Sequence, residues 1–199
     1  MDDHPEHRTR AELEAGLDQV LRSPADEGPV ELVVARPARG ERRVLDRAVI
    51  DPQLGLVGDM WPVRPTSSTP DRSPHPGKQL TLMNARVAAL VAGPGRWQLA
   101  GDQVYVDLDL GRTNLPPGTR LAVGSAVVEV SGEPHTGCAK FAARFGMEAA
   151  RFVGSPAGRR MGLRGLNTRV VRAGTVGPGD LVRKLAATAV RHGGEAAAP

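Results

Sequence analysis

The chain contains a single cysteine, Cys138, and its surroundings are typical of a reactive thiol. The segment 133–141 reads EPHTGCAKF, and it lies where a predicted strand ends and a predicted helix begins. A thiol in the first turn of a helix faces unpaired N–H groups, and the cations Lys140 and Arg144 follow closely; both effects favour the thiolate. The spacing therefore predicts a nucleophile or a soft metal ligand at Cys138.

A purely structural interpretation of the same cysteine stays open. Free cysteine is among the most buried residue types, and Phe141 and Phe145 follow Cys138 at helical spacing, on a face that is expected to pack inward. His135, three residues before Cys138, could orient or deprotonate the thiol, as in cysteine–histidine pairs, or it could be an exposed loop histidine.

The charged residues suggest an anionic ligand. Lys140 and Arg144 are four residues apart on one helical turn and could bind a phosphate or pterin oxygen, the alternative being ordinary solvation. Residues 151–184 contain seven arginines and one lysine against the single acid Asp180. We expect this basic segment to line or flank an anion-binding groove that faces Lys140 and Arg144. Nucleic acid is a weaker candidate partner, because aromatic residues make up only 3% of the chain.

These residues must be positioned by a mainly β structure with a few short helices. Thr9 and Glu12 fit a capping box, which predicts a helix over residues 10–22, and Asn84 can cap a second short helix. Gly146 is expected to end the helix that begins near Cys138. Alternating apolar residues separated by Gly and Pro turns predict many short strands, which indicates a barrel or a sandwich. The strands are expected at 30–36, 42–50, 79–83, 103–108, 120–123, 126–130, 168–172 and 180–185, with a long loop at 62–76.

Size and composition favour one domain. The chain has 199 residues, of which 40% are hydrophobic, enough for one good core. No run of eighteen apolar residues occurs and the first ten residues are charged, so we expect neither a membrane span nor a secretory signal, and a cytoplasmic protein. One cysteine, with no H-E-x-x-H pattern, argues against structural zinc.

Several short motifs occur together in the chain: Gly58-Asp59, Pro76-Gly77-Lys78, Gly101-Asp102-Gln103 and the segments 118–124, 135–146 and 174–180. Their order resembles the MOSC domain family, named for the C-terminal domain of molybdenum-cofactor sulfurases. The likeness covers roughly residues 30–185, is strongest to stand-alone bacterial, YiiM-like members, and implies a closed β-barrel related to the pyruvate kinase barrel domain. Residues 1–29 are then an N-terminal extension with a short helix, and the Ala- and Gly-rich residues 186–199 are expected to be a flexible tail.

The resemblance also implies a molybdenum-cofactor (molybdopterin) site. Cys138 matches the family cysteine, which carries sulfur or binds molybdenum, so Cys138 is the predicted metal ligand and a predicted catalytic residue. His135, by its spacing from Cys138, is the second predicted catalytic residue. Two departures stand out: Asp102-Gln103 replaces an expected Glu-Asn pair, and Met60-Trp61 follows Gly58-Asp59 where a histidine is often found. The residues predicted to bind the cofactor are Lys78, Asp102, Gln103, Thr136, Lys140, Arg144 and Arg164.

Three classes of function follow from these residues. The leading hypothesis is a small molybdenum-dependent oxidoreductase that reduces N-hydroxylated small-molecule substrates with electrons from a partner protein, or a sulfur carrier with a persulfide on Cys138. The second is a protein that stores or delivers the cofactor without turnover. The third is a metal-free enzyme that uses Cys138 and His135. Neither nucleic acid nor a membrane is an expected partner.

Overall fold

The computed structural model describes residues 7–66, 69–136 and 139–186. Within these ranges the chain forms eleven β-strands and five α-helices. The strands are β1 (Glu27–Ala35), β2 (Arg43–Val44), β3 (Ala48–Asp51), β4 (Gly55–Leu56), β5 (Leu80–Asn84), β6 (Val104–Val106), β7 (Arg120–Val123), β8 (Ala126–Val130), β9 (Leu166–Arg172), β10 (Gly174–Val176) and β11 (Leu181–Lys184). The helices are α1 (Arg10–Ala15), α2 (Leu17–Leu21), α3 (Ala85–Ala92), α4 (Ala139–Gly154) and α5 (Pro156–Arg160).

Seven of these strands close into a barrel in the order β1-β11-β7-β8-β9-β5-β6, with β6 pairing again with β1. Closure depends on β1, which pairs with β11 through Glu27–Pro29 and with β6 from Val30 onward. Only the β5–β6 pair is parallel among the barrel pairs described. A closed ring leaves no open sheet edge. The prediction of a mainly β fold with a closed barrel is confirmed.

The barrel interior is filled by branched apolar side chains. Residues that alternate along the strands, such as Val30, Leu82, Val104, Val128 and Val182, are fully or almost fully buried in one cluster. Burial of each such side chain stabilises the folded state by about 1.5 to 3 kcal/mol. The barrel is therefore a packed core, and binding sites must lie at its ends or outside it.

A second apolar cluster lies between the barrel wall and the helices. Met83 of β5 and Tyr105 of β6 point away from the barrel interior and pack with Leu13 of α1 and with Phe141 and Phe145 of α4. The rings of Phe141 and Phe145 meet edge to face, with centroids 5.0 Å apart. This cluster holds the start of α4, which carries Lys140 and Arg144, against the outside of the barrel.

The N-terminal helix follows its predicted start. Thr9 and Glu12 form both hydrogen bonds of a capping box, and the helical segment is divided into α1 and α2 at Gly16. The α4 helix is also interrupted, at Gly146, where φ is 88° and ψ is 161°. The helical conformation breaks at Gly146 as predicted, but it resumes and extends to Gly154, which the sequence analysis missed.

Of the four remaining strands, β2 pairs with the end of β1, and the other three form a small sheet, β10-β3-β4, beside the barrel. After β4 the chain makes 3-10 turns at Trp61–Val63 and Pro76–Lys78, within the segment predicted to be a long loop. In the described part of the chain, no helix is long and apolar enough to cross a membrane. The predicted tail, 186–199, lies almost wholly outside the described residues.

Candidate functional site

Seven basic side chains line a cavity of roughly 510 Å³ between the end of β1 and the start of α4. No aspartate or glutamate of the described residues contributes to its lining. The cations come from four separate parts of the chain: the loop between β1 and β2, the segment after β4, the first turns of α4 and the segment before β9. They are Arg36, Arg39, Arg42, Arg64, Lys140, Arg144 and Arg164. We call this cavity the first compartment.

Arg36 is fixed in the wall of the first compartment by a buried carboxylate. Its Nε donates to Asp59 Oδ2 at 2.8 Å and its Nη2 donates to Asp59 Oδ1 at 3.1 Å, a two-point interaction. A third bond runs from Arg36 Nη1 to the carbonyl of Gly101 at 3.0 Å. The Asp59 side chain has no exposed surface, so its negative charge is turned away from the cavity. The guanidinium is thereby held in one orientation.

Arg42 has a depressed pKa for two reasons. Partial burial disfavours its charged form, and the positive charges of Arg144 and Arg36 add repulsion. The Nε of Arg42 is buried without a hydrogen-bond partner in the described structure. Arg144 donates to the carbonyl of Leu99 and forms no ion pair with a described residue. These cations thus repel one another, and an anion in the cavity would relieve that cost.

Beneath the cavity lies a buried group of three ionisable side chains. Arg164 Nη1 donates to Asp102 Oδ2 at 2.7 Å, and the guanidinium lies over the Phe141 ring at 5.0 Å from its centroid. His135 Nε2 is 3.4 Å from the other Asp102 oxygen. Burial, followed by the positive charge of Arg164, lowers the pKa of His135 to about 3, although Asp102 opposes this shift. His135 is therefore neutral near pH 7.

The same group contains unpartnered polar atoms. Asp102 Oδ1, His135 Nδ1 and Arg164 Nε are all buried and have no hydrogen-bond partner among the described residues. Buried polar atoms without partners are costly, and they are common where a site awaits a ligand or an ordered water. The floor of the first compartment is thus polar and incompletely satisfied by the protein.

A second cavity, of roughly 410 Å³, adjoins the first. The two share Arg36, Arg64, Pro65, His135 and Thr136 as lining residues. The second compartment, as we call it, has further lining residues of its own, which include Trp61, Pro74, His75, Lys78, Thr81 and Asn167. Lys78 at its rim lies 3.2 Å from a Glu133 oxygen. The site therefore consists of two connected spaces with Arg36 between them.

The structure brings most of the predicted site residues together. His135, Thr136, Lys140, Arg144 and Arg164 line the first compartment, and Lys78 lines the second. Asp102 lies beneath them, where it binds Arg164.

Two predicted residues are placed differently. Gln103 is buried, and its Oε1 accepts hydrogen bonds from the backbone N–H and the hydroxyl of Thr81; it lines neither compartment. Cys138 lies outside the described residues. In the sequence, Gly137 and Cys138 connect Thr136 to Ala139, the first residue of α4.

The prediction that residues 151–184 line or flank the anion-binding groove is wrong for most of this segment. Of its eight cations only Arg164 lines the first compartment. Arg169 pairs with Glu129, Arg183 with Glu27, Lys184 with Asp26, and Arg151 with Glu148. Arg169 of β9 and Arg183 of β11 are exposed and pair with acids on the neighbouring strands β8 and β1.

Four groove cations were missed by the sequence analysis: Arg36, Arg39, Arg42 and Arg64. Three of them cluster within seven residues around the predicted turn between the first two strands, a signal that was available in the sequence. Asp59 was noted only as part of a motif, and its bond to Arg36 spans 23 positions.

Comparison with solved structures finds proteins with a similar fold. The crystal structure of YuaD from Bacillus subtilis is similar with a TM-score of 0.54 and 20% identity over 78% of this chain and 94% of that chain. YiiM from Escherichia coli is similar with a TM-score of 0.52 and 19% identity, over 80% of this chain and 71% of that chain. YiiM from Geobacillus stearothermophilus is similar with a TM-score of 0.54 and 15% identity, over 79% of this chain and 75% of that chain.

These structural likenesses show a shared fold. No curated protein is significantly similar to the chain. The family model of the MOSC domain matches residues 95–183, which run from just before β6 to β11 and include Asp102, the segment around Cys138 and Arg164. The sequence motifs predicted this family, and the MOSC domain model matches the part of the chain that contains four of them.

Proposed function

We propose that the first compartment binds the molybdenum cofactor and that Cys138 supplies a thiolate to its metal. The observation that carries this proposal is the lining of the cavity, which has seven cations and no described carboxylate. Such a lining favours a ligand with several negative charges. A pterin that bears a phosphate group is a ligand of this kind, and MOSC domains are associated with that cofactor.

The residues present fit such a ligand. Arginine presents paired N–H donors that match phosphate oxygens, and Arg39, Arg42 and Arg144 have no ion-pair partner among the described residues. A cavity of roughly 510 Å³ is within the range of cofactor sites. A bound anion would also offset the repulsion that lowers the pKa of Arg42.

The basic side chains of the first compartment form two groups, those oriented by a buried carboxylate and those without a described ion-pair partner. Arg36 and Arg164 are oriented by the buried carboxylates of Asp59 and Asp102, so they can define the position of a ligand. Lys140 and Arg39 have no described ion-pair partner and can adapt to the negative charge of a phosphate group. His135, being neutral, can accept or donate a hydrogen bond without adding charge.

The activity we propose is reduction of an N-hydroxylated compound. When bound, the molybdenum centre supplies two-electron redox chemistry. Conversion of R–NHOH to R–NH2 breaks one N–O bond, consumes two electrons and two protons, and releases water. The electrons would come from a redox partner protein, and the cations of the site would stabilise negative charge that develops on the substrate. The related alternative is a sulfur carrier, in which Cys138 holds a persulfide.

The molybdenum content of the purified protein tests the proposal. Wild-type protein from a host that makes the cofactor should contain molybdenum, measured by elemental mass spectrometry. The double variant R42Q/R144Q should bind the cofactor about a hundredfold more weakly and retain little molybdenum, since two ligand contacts at about 1.4 kcal/mol each are removed. Arg47→Gln is the matched control and should retain the wild-type content, because Arg47 is exposed, pairs with Asp180 and lines neither compartment.

Equal molybdenum in the double variant and in the control would contradict cofactor binding in the first compartment. The activity is tested separately, with a chemical reductant and a model hydroxylamine. Cys138→Ser that keeps molybdenum but loses turnover would support the reductase over a storage or delivery protein. Turnover by metal-free wild-type protein would instead support a cysteine and histidine enzyme.

A further inference from the structure

We infer that the second compartment is a substrate site that selects a small organic molecule with an oxyanion group, a carboxylate or a phosphate. This inference rests on the proposed function in one respect, which is that the cofactor occupies the first compartment. The argument comes from the hydrogen-bonding groups and the charges of the lining residues.

The polar side chains of the second compartment are mainly donors. Arg64 is exposed and its side chain has no partner among the described residues. Lys78 lies 3.2 Å from a Glu133 oxygen and contributes a second positive charge to the lining. His75 Nδ1 accepts a hydrogen bond from the N–H of Gly77, so in the neutral ring its proton is on Nε2, which lies 3.7 Å from the other Glu133 oxygen. A donor-rich lining favours a ligand rich in acceptors.

The carboxylates nearest to the lining are already engaged, Glu133 by Lys78 and His75 and Asp59 by Arg36. No described aspartate or glutamate lines the second compartment. The carboxylate nearest to Arg36, that of Asp59, has no exposed side-chain surface and is fully engaged by Arg36 and by the N–H of Trp61. The hydroxyl of Thr81 is engaged by Gln103. Amines would therefore find positive charge and few acceptors, whereas an oxyanion would find Arg64 and Lys78.

The other walls are apolar and stiff. Pro65, Pro74 and Pro134 line the compartment together with Trp61, whose backbone is held by Asp59. Proline rings and an indole present flat apolar surface with little freedom to lose on binding. With a volume of roughly 410 Å³, the space suits a small molecule with a rigid apolar body and one acidic group. Its position beside the first compartment would place that body next to the bound cofactor.

Tryptophan fluorescence offers a direct test. The chain has two tryptophans, and Trp97 packs against Tyr105 on the helical side of the barrel. In a Trp97→Phe protein, purified with cofactor, the emission reports on Trp61 alone. We expect phenyl phosphate or benzoate to change this emission with at least about tenfold higher affinity than the uncharged benzamide. Whichever anion binds more tightly identifies the oxyanion as phosphate or carboxylate. Calorimetry on wild-type protein gives the same comparison if Trp97→Phe does not fold.

Variants determine where the probe binds. Lys78→Gln and Arg64→Gln should each weaken binding of the anionic probe about fivefold to tenfold, and Arg47→Gln should not change it. Lys140→Gln, which alters only the first compartment, should change it less than twofold. Equal affinity for benzamide and the two anions, or a loss in Lys140→Gln but not in Lys78→Gln, would overturn the inference. The molybdenum content of the same samples reports independently on the first compartment, so failure of one proposal is distinguishable from failure of the other.

Discussion

Asp59 binds the guanidinium of Arg36 through both of its carboxylate oxygens, at 2.8 and 3.1 Å. This contact joins the chain just after β4 to the end of β1. Asp59 also accepts a hydrogen bond from the backbone N–H of Arg36 at 2.9 Å. Arg36 lines both compartments. One buried carboxylate therefore fixes the boundary between the two parts of the site.

Replacement of this carboxylate should be costly. Asp59→Asn keeps the side-chain size but leaves Arg36 without a counter-charge in a largely buried position, and we expect a loss of about 3 kcal/mol in the free energy of unfolding. Urea denaturation monitored by circular dichroism measures it. Asp26→Asn is the control, because Asp26 pairs with Lys184 while 78% exposed and should contribute little. Equal stability of the two variants would show that the Asp59–Arg36 pair is not required.

The charge of Arg42 should destabilise the cofactor-free protein and strengthen binding of the cofactor. Its charge is repelled by Arg144 and Arg36, so Arg42→Gln in cofactor-free protein should unfold at the same temperature as wild type or at a higher one. The same substitution should lower the molybdenum content of protein made with cofactor. Thermal unfolding of both preparations checks this pair of outcomes. A clear drop in the unfolding temperature of cofactor-free Arg42→Gln would show that Arg42 is structural.

The neutral His135 predicts a pH dependence of stability. Its pKa is about 3 in the folded protein and near 6.5 in the unfolded chain, so the unfolded state binds a proton first as the pH falls. Above about pH 6.5 His135 therefore has no effect on how the free energy of unfolding varies with pH. Between about pH 6.5 and pH 3 it lowers the free energy of unfolding as the pH falls, by at most about 1.4 kcal/mol per pH unit.

His135→Gln removes this group and should give a smaller slope between pH 4.5 and 6.5. Urea denaturation at several pH values gives the slope for each protein. The difference between the two slopes isolates His135, because the carboxyl groups contribute equally to both proteins. Parallel curves for wild type and His135→Gln would mean that the histidine does not titrate differently in the two states.

Local signals predicted local structure well. The Thr9 capping box and the Asn84 cap are both present, because each depends on residues two or three positions apart. The second half of α4 was missed, since Gly146 has the appearance of a terminator. Its φ of 88° does break the helix, but the buried residues Ala149, Phe152 and Val153 still pack inward and restore helical geometry beyond it.

Contacts between distant parts of the chain could not be predicted from local sequence patterns. Barrel closure requires β1 to pair on both sides, with β11 about 150 residues away, and no alternation of apolar residues encodes that choice. The bond from Arg36 to Gly101 spans 65 positions. The family motifs located Asp102 and His135, and Arg164 was among the residues predicted to bind the cofactor, whereas the arginines of the β1–β2 loop carry no motif and were found only in the folded protein.

The reactivity of Cys138 remains the most direct prediction about the chemistry. The segments on both sides of it, ending at Thr136 and containing Lys140, line the cationic first compartment. Nearby positive charge favours the thiolate, so we expect a thiol pKa below the ordinary value of about 8.5 and fast alkylation near neutral pH. Iodoacetamide modification as a function of pH, on cofactor-free and cofactor-loaded protein, measures it at the only cysteine of the chain. R42Q/R144Q should shift the reaction to higher pH and Arg47→Gln should not. A thiol that reacts only above pH 9 in wild type, or equally fast with cofactor bound, would assign Cys138 to packing, and the first compartment would then be an anion site without thiol chemistry.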